Sequence, residues 1–240
     1  MDLKSKKTKK MKLLNYILLS VFVLVGICSC TKDDELAGKG DSGLLSLNVE
    51  AVLPKVTRGP VETNDFVVVI AGKTGSNTAS ISKQYVVSEL PEELRLPVGD
   101  YTVSAHSPEE LTKQMNAPYY GGSVDVNIMK DVTSQTEVKC KIKNTKIQLV
   151  YSSDFLAHFS DWTITIDDGS NSVISFNNSL GNNPKPFYYY LGEEGTSKLI
   201  VNISATTKDG KKITDSRIIT KNQVDESYQD DNSNFVGGDA

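Results

Sequence analysis

Val138, Cys140 and Ile142 alternate with Lys139, Lys141 and Lys143, a pattern that no helix can hold on one face. Successive side chains of an extended strand point to opposite faces, so a period of two puts the apolar groups inward and the lysines in water. The same spacing recurs at Leu45, Leu47, Val49 and Ala51, set against Ser46, Asn48 and Glu50, and again at Val124, Val126 and Ile128. The β-branched run 66–70 reads as a well-buried strand. Beyond Lys143 the inward parity flips from 138/140/142 to Ile147, Leu149 and Tyr151. A strand cannot change parity without a bulge or a move to a new sheet, so Asn144-Thr145 is the expected domain boundary.

Punctuation between these runs predicts the connections. Residues 94–96 and 101–105 should face each other across a turn holding Pro97 and Gly99-Asp100. Ser107-Pro108-Glu109-Glu110 has the cap, the proline and the acid of a helix start, and Pro118 keeps that helix short. After the boundary, a strand at 147–151 leads to a loop or short helix at 153–160. Residues 161–166 (DWTITI) then echo 65–70 (DFVVVI) at an offset of 96. Ser104-Ala105 and Ser204-Ala205 each fall in a matching strand, and Lys208-Asp209-Gly210-Lys211 is a hairpin turn. The expected fold class is all-β: two tandem antiparallel β-sandwich domains, Ig-like or transthyretin-like, spanning 44–143 and 144–240. The second trails into polar 223–234 and stops, which implies a truncated gene or a sheet without its closing strand. An open sheet edge of that kind invites pairing with another strand.

The chain starts quite differently. Lys4, Lys6, Lys7, Lys9, Lys10 and Lys12 precede the apolar run 16–27, which is too short for a membrane span of roughly 20 residues and fits a secretory signal. Met11 followed by Lys12 could serve as the start in place of Met1. Ile27-Cys28-Ser29-Cys30 resembles the bacterial lipobox, whose last cysteine becomes residue one and carries lipid as a thioether. Cys30 is the expected lipidation site, 1–29 the signal peptide, and 30–43 an acidic Gly/Ser linker. At about 0.8 kcal/mol per buried CH₂, two or more chains (a palmitate among them) hold a protein stably to a membrane. Thr31-Lys32-Asp33-Asp34-Glu35 is similar to the Lys-then-acidic signal that sends Bacteroides-type lipoproteins to the outer face of the outer membrane.

Cleavage before Cys30 removes six lysines and Asp2 from the 26 basic and 30 acidic residues, leaving 20 against 29, a net charge of −9. That balance argues against nucleic acid as a partner, and against docking on anionic lipid, so the anchor alone must hold the membrane. With Cys30 acylated, Cys140 has no partner; its alternation places it inward, as a small core hydrophobe.

Several segments together resemble a known group: the lipobox with its Lys-Asp-Asp, Val56-Thr57-Arg58 ahead of a strand, LPVGDYTVSA at 96–105, and APYYGG at 117–122. They are similar to Bacteroides-type surface lipoproteins catalogued as a domain of unknown function, related to the fimbrillin-like (major fimbrial subunit) adhesins. The resemblance implies lipoprotein export, two sandwiches, and proteolytic processing after an arginine that frees a groove for a donor strand. Arg58 is the candidate for that processing, although Gly59-Pro60 follow it.

Enzymatic signatures are missing from the sequence. Gly40-Asp41-Ser42-Gly43 matches the tetrapeptide around a serine-protease nucleophile but has only a signal peptide upstream. His106 and His158 stand far apart without metal spacing, and Asp230, Asn232 and Asn234 lack the glycine and closing Glu of a calcium loop. No catalytic residue, metal or cofactor is expected. Tyr119, Tyr120, Tyr188 and Tyr189 are candidate ligand-contact aromatics, while Trp162, at the repeat position of Phe66, is expected in a core. The expected role is adhesion, or that of a fimbria-related accessory subunit, with a strand-donating protein as partner. The alternative is a glycan-binding lipoprotein of a polysaccharide-uptake system, with a surface glycan as partner.

Overall fold

The computed structural model of the chain describes residues 40–53, 61–170, 172–221 and 233–239. The expected signal peptide, the expected lipidation site Cys30 and the candidate processing site Arg58 lie outside the described residues. Gly40–Ala240 forms one compact unit, and the fold is an all-β sandwich with curled sheets.

The first half supplies β1 (Ser42–Ala51), β2 (Val67–Gly72), β3 (Ser82–Val86), β4 (Leu94–Pro97), β5 (Gly99–His106), β6 (Gln114–Met115), β7 (Tyr120–Ile128) and β8 (Thr133–Ile142). Seven of these form one sheet in the order β3-β2-β5-β7-β8-β1-β4. The ladder joins β7 to β8 only at Tyr120↔Ile142 and Gly121↔Lys141, where the sheet folds over on itself. Gly122 permits that approach, because a Cβ there would lie 2.2 Å from the Lys139 carbonyl oxygen. The limb β2-β5-β7 turns Val68, Ile70, Tyr101, Val103 and Ala105 toward Leu45, Leu96, Val138 and Cys140 on the other limb, and all are buried in one core. Each fully buried aliphatic group adds roughly 1.5–3 kcal/mol to the folded state.

Two expectations fail in this half. The strands expected to form a hairpin at 94–105 do not pair: β4 lies against β1, and β5 lies between β2 and β7. Pro97 and Gly99 carry the chain from one limb to the other, and the Tyr101 hydroxyl donates to the Pro97 carbonyl at 2.9 Å across that crossing. The helix expected at Ser107 is absent. Ser107 Oγ, which would have capped it, instead accepts from the Tyr120 N–H at 2.9 Å, and the Ser107 N–H donates to Tyr120 O at 2.9 Å. One further pairing departs from an all-antiparallel ladder, since β1 runs parallel to β8 over Leu44–Ala51.

The second half supplies β9 (Thr145–Ile147), helix α1 (Ser153–His158), β10 (Phe159–Asp167), β11 (Ile174–Asn177), β12 (Phe187–Tyr189), β13 (Lys198–Thr207) and β14 (Lys212–Thr220). Its main sheet has the order β11-β10-β13-β14, the same succession as β3-β2-β5-β7, so the echo in sequence corresponds to an echo in topology. Trp162, Ile164, Ile166, Ile174, Phe176 and Leu199 form a second core, separate from the first. At its far end Tyr151 and Phe155 stack with 5.4 Å between ring centroids, and both meet Trp162 edge-on at 5.2–5.3 Å.

The parity switch after Lys143 marks a change of sheet. β9 leaves the seven-stranded sheet and enters a small one, ordered β6-β12-β9. Its strands come from both halves, so β6, only two residues long, is paired through β12 with the second half.

Candidate functional site

Beside this joint, in the second half, lies an apolar groove of about 210 Å³. Its floor is the inner face of the main sheet: Ile166 of β10, Leu199 and Val201 of β13, and Ile219 of β14. Ile147 and Leu149 form one wall and Phe235 another. Residues 147–151 alternate buried and exposed as an extended chain does, yet only Ile147 belongs to a ladder. Among the described residues no hydrogen bond ties the 148–150 backbone. An apolar floor next to a loose extended segment can receive another extended chain, with main-chain hydrogen bonds supplying affinity and alternate side chains filling the floor.

The groove is bounded at one end by residues 233–239. Phe235 and Thr196 exchange backbone hydrogen bonds of 2.7 and 3.0 Å. Gly238 N–H donates to Asn144 O at 3.0 Å and Lys146 N–H to Asp239 O at 2.9 Å. Thr145 Oγ1 donates to Val236 O at 2.7 Å. Lys221 and Asp239 pair at 2.9 Å with side chains only 4% and 11% exposed, and Lys221 Nζ also donates to Asn234 O. Gly195 makes the contact sterically feasible: its φ is +69°, and a Cβ there would sit 2.0 Å from Phe235 O.

Two polar clusters hold the joint. Asn144, 1% exposed, accepts from the Tyr119 N–H at 3.0 Å and donates to Ala117 O at 3.1 Å. Lys113 Nζ lies 2.5 Å from Asp168 Oδ2 and 4.8 Å from the centroid of the Tyr189 ring. Tyr189 in turn donates its hydroxyl to Asp168 and to the Ser172 carbonyl. Burial alone would raise the Asp168 carboxyl, but hydrogen bonds from Lys113 and Ser170 and the lysine's charge outweigh it and hold the group down at about 2.

Of the four expected ligand-contact aromatics, Tyr119, Tyr120 and Tyr189 are 8%, 4% and 0% exposed: Tyr120 packs in the first core, Tyr189 in the second, and Tyr119 beside Asn144. The physical reason is pairing: Tyr120 starts β7 under Phe66, and Tyr189 is the inward residue of β12. Tyr188 alone of the four is half-buried. Cys140 is fully buried; burial pushes its thiol up to about 11, and it donates to Ala105 O at 3.4 Å. His106 stacks on Tyr119 with 6.0 Å between ring centroids, whereas His158 is exposed on α1. Among the described residues no group of three or more His, Cys, Asp or Glu could hold a metal, and no helix is long and apolar enough to cross a membrane. The groove itself was not foreseen from the sequence. Its one signal was the odd parity of Ile147 and Leu149, continuing past the last residue that any strand pairs.

Fold and groove together define an all-β sandwich protein with two cores and an apolar cleft. The chain belongs to the family described as Domain of unknown function (DUF4493), whose model matches residues 41–240. No curated protein matches it. Among solved structures it is similar to a candidate cell adhesion protein of Bacteroides eggerthii, at 10% identity and a TM-score of 0.45 over 75% of this chain and 80% of that one. It is similar too to a candidate adhesin of Bacteroides ovatus, at 10% identity and a TM-score of 0.44 over 72% and 82%. A candidate cell adhesion protein of Parabacteroides distasonis matches at 10% identity and a TM-score of 0.42 over 77% and 85%.

Proposed function

We propose that this chain is a lipid-anchored, non-enzymatic protein of the outer-membrane surface, with an adhesive or fimbria-related accessory role. It is built as two tandem sandwiches, 44–143 and 144–240, and anchored through Cys30. The observation that carries the adhesive reading is the groove over Ile166, Leu199 and Val201 with the unladdered 148–150 segment beside it. Its partner is an extended polypeptide with apolar side chains at every second position. The glycan alternative lacks an exposed aromatic platform, because three of its four tyrosines are buried.

Three measurements test the reading. Metabolic labelling with a palmitate analogue should mark the full chain and not its Cys30→Ala variant; equal labelling of both would remove the anchor. Arginine-specific cleavage at Arg58, which follows β1, should permit strand exchange with a neighbouring subunit; separately, Leu149→Asp, which puts a carboxylate in the groove wall, should abolish capture of an added peptide with apolar residues at alternate positions. Cleavage at Arg58 without strand exchange would sink the fimbrial mechanism and leave the anchor standing.

A further inference from the structure

Among the described residues β14 is the outer strand of its sheet, and its residues Lys212 to Ile218 are exposed. Thr207 N–H donates to Lys211 O at 2.9 Å at the head of the β13–β14 hairpin. Hydrogen-bonded pairs alternate with non-bonded ones in an antiparallel ladder. Odd-numbered residues of β14 therefore bond back to β13, while Thr214, Ser216 and Ile218 turn their N–H and C=O groups to the open edge. Ser216 agrees: its N–H goes to the Asp215 side chain at 2.9 Å and its hydroxyl to Asn202 at 2.7 Å.

Edge strands are commonly protected by charges on the face that continues the core. Here that face carries Ile213, Asp215, Arg217 and Ile219, lying opposite Ala205, Ile203, Val201 and Leu199 of β13. Asp215 and Arg217 pair along the strand at 2.7 Å. Read in both directions from Ser216, the face is self-complementary: an acid and then an isoleucine one way, a base and then an isoleucine the other.

We propose that β14 pairs antiparallel with β14 of a second copy of this chain, about a two-fold axis at Ser216. Ser216 N–H then exchanges the Asp215 side chain for the copy's Ser216 carbonyl, and the open backbone groups of Thr214 and Ile218 meet those of the copy. Asp215 falls opposite the copy's Arg217, Arg217 opposite the copy's Asp215, and Ile213 opposite the copy's Ile219. These are the non-bonded positions, where side chains of facing strands come closest. Sliding the register one allowed step either way sets Asp215 against its own copy, or Arg217 against its own copy. The charges that repel most strands thus admit this one in one register. The contact is isologous and closes on itself. It extends the four-stranded sheet across the axis and rests on no part of the functional reading above.

The test is crosslinking of the full chain in membranes of cells that express it. Ser216→Cys, on the axis, should form a covalent dimer with a short bismaleimide; Lys212→Cys, on the same edge but far from its own copy, should not. In the Ser216→Cys background, Asp215→Arg or Arg217→Asp alone should lower the yield about tenfold or more, since each turns two attractive cross-strand pairs repulsive. The double exchange Asp215→Arg with Arg217→Asp should restore it, and so should co-expression of the two single variants. Both positions are exposed and outside the cores, and restoration by the double exchange shows that the fold is intact. Equal yields from Ser216→Cys and Lys212→Cys would overturn the proposal, as would a dimer that survives both single reversals.

Discussion

Replacing Lys113 by Met keeps an aliphatic stem over the Tyr189 ring and removes the ammonium that faces Asp168. The Asp168 side chain is 7% exposed against 31% for Lys113, so the carboxylate left behind has little water to turn to. Its pKa in the folded chain is about 2, against an ordinary value of 3.8. At 1.36 kcal/mol per unit, that difference is about 2 kcal/mol of stability at neutral pH. The sign follows from linkage. A depressed carboxyl stabilises the fold above its unfolded value of 3.8, and that contribution is lost as pH falls toward 2. Ser170 shares in holding the carboxyl down, so Lys113→Met should cost about 1–2 kcal/mol at pH 7 and less than about 0.5 kcal/mol near pH 2. With an m-value of roughly 2 kcal/mol/M, the urea midpoint should drop by about 0.5–1 M at pH 7. Trp162 is the only tryptophan, and its fluorescence, read beside circular dichroism, follows the transition in Gly40–Ala240. A double-mutant cycle with Asp168→Asn isolates the pair. Equal losses at pH 7 and pH 2, or a loss at pH 7 below about 0.5 kcal/mol, would refute the reasoning.

Asn144→Ala strands the buried Tyr119 N–H, while the exposed Ala117 carbonyl can turn to water, so it should destabilise by roughly 1–3 kcal/mol in urea, the cost of one orphaned group. Gly195→Ala forces a Cβ against Phe235 O from a positive-φ position; a loss of about 2 kcal/mol should lower the calorimetric midpoint by roughly 4–8 °C. Cys140 in native Gly40–Ala240 should resist a thiol reagent at pH 8, because its thiol is buried and pushed up to about 11, and should react fully in urea; fast labelling of the native chain would contradict its placement.

Much of the strand content was legible in the sequence. The alternation at 138–142 reappears as buried Val138 and Cys140 in β8, and the parity switch reappears as a change of sheet at Thr145. The errors share one origin. Ser107 offers a helix cap in one dimension, but Tyr120, thirteen residues on, takes its hydroxyl. Residues 94–96 and 101–105 look like a hairpin by spacing, yet β4 pairs with β1 and β5 with β2 and β7, strands that lie far off in the sequence. Neighbouring tyrosines suggested a ligand surface, and packing buries three of the four, Tyr119, Tyr120 and Tyr189.

From the sequence alone came the properties that each residue carries with its immediate neighbours: which side chains share a face and where a turn must fall. Side-chain alternation and backbone preference act over two to four residues, so no folded context is needed to read them. Tertiary structure alone decided which strand lies beside which, because a ladder's hydrogen bonds are chemically identical for every partner. The choice between partners rests on shape and burial summed over distant segments. The β6-β12-β9 joint, the groove beside it and the open edge of β14 all follow from that sum.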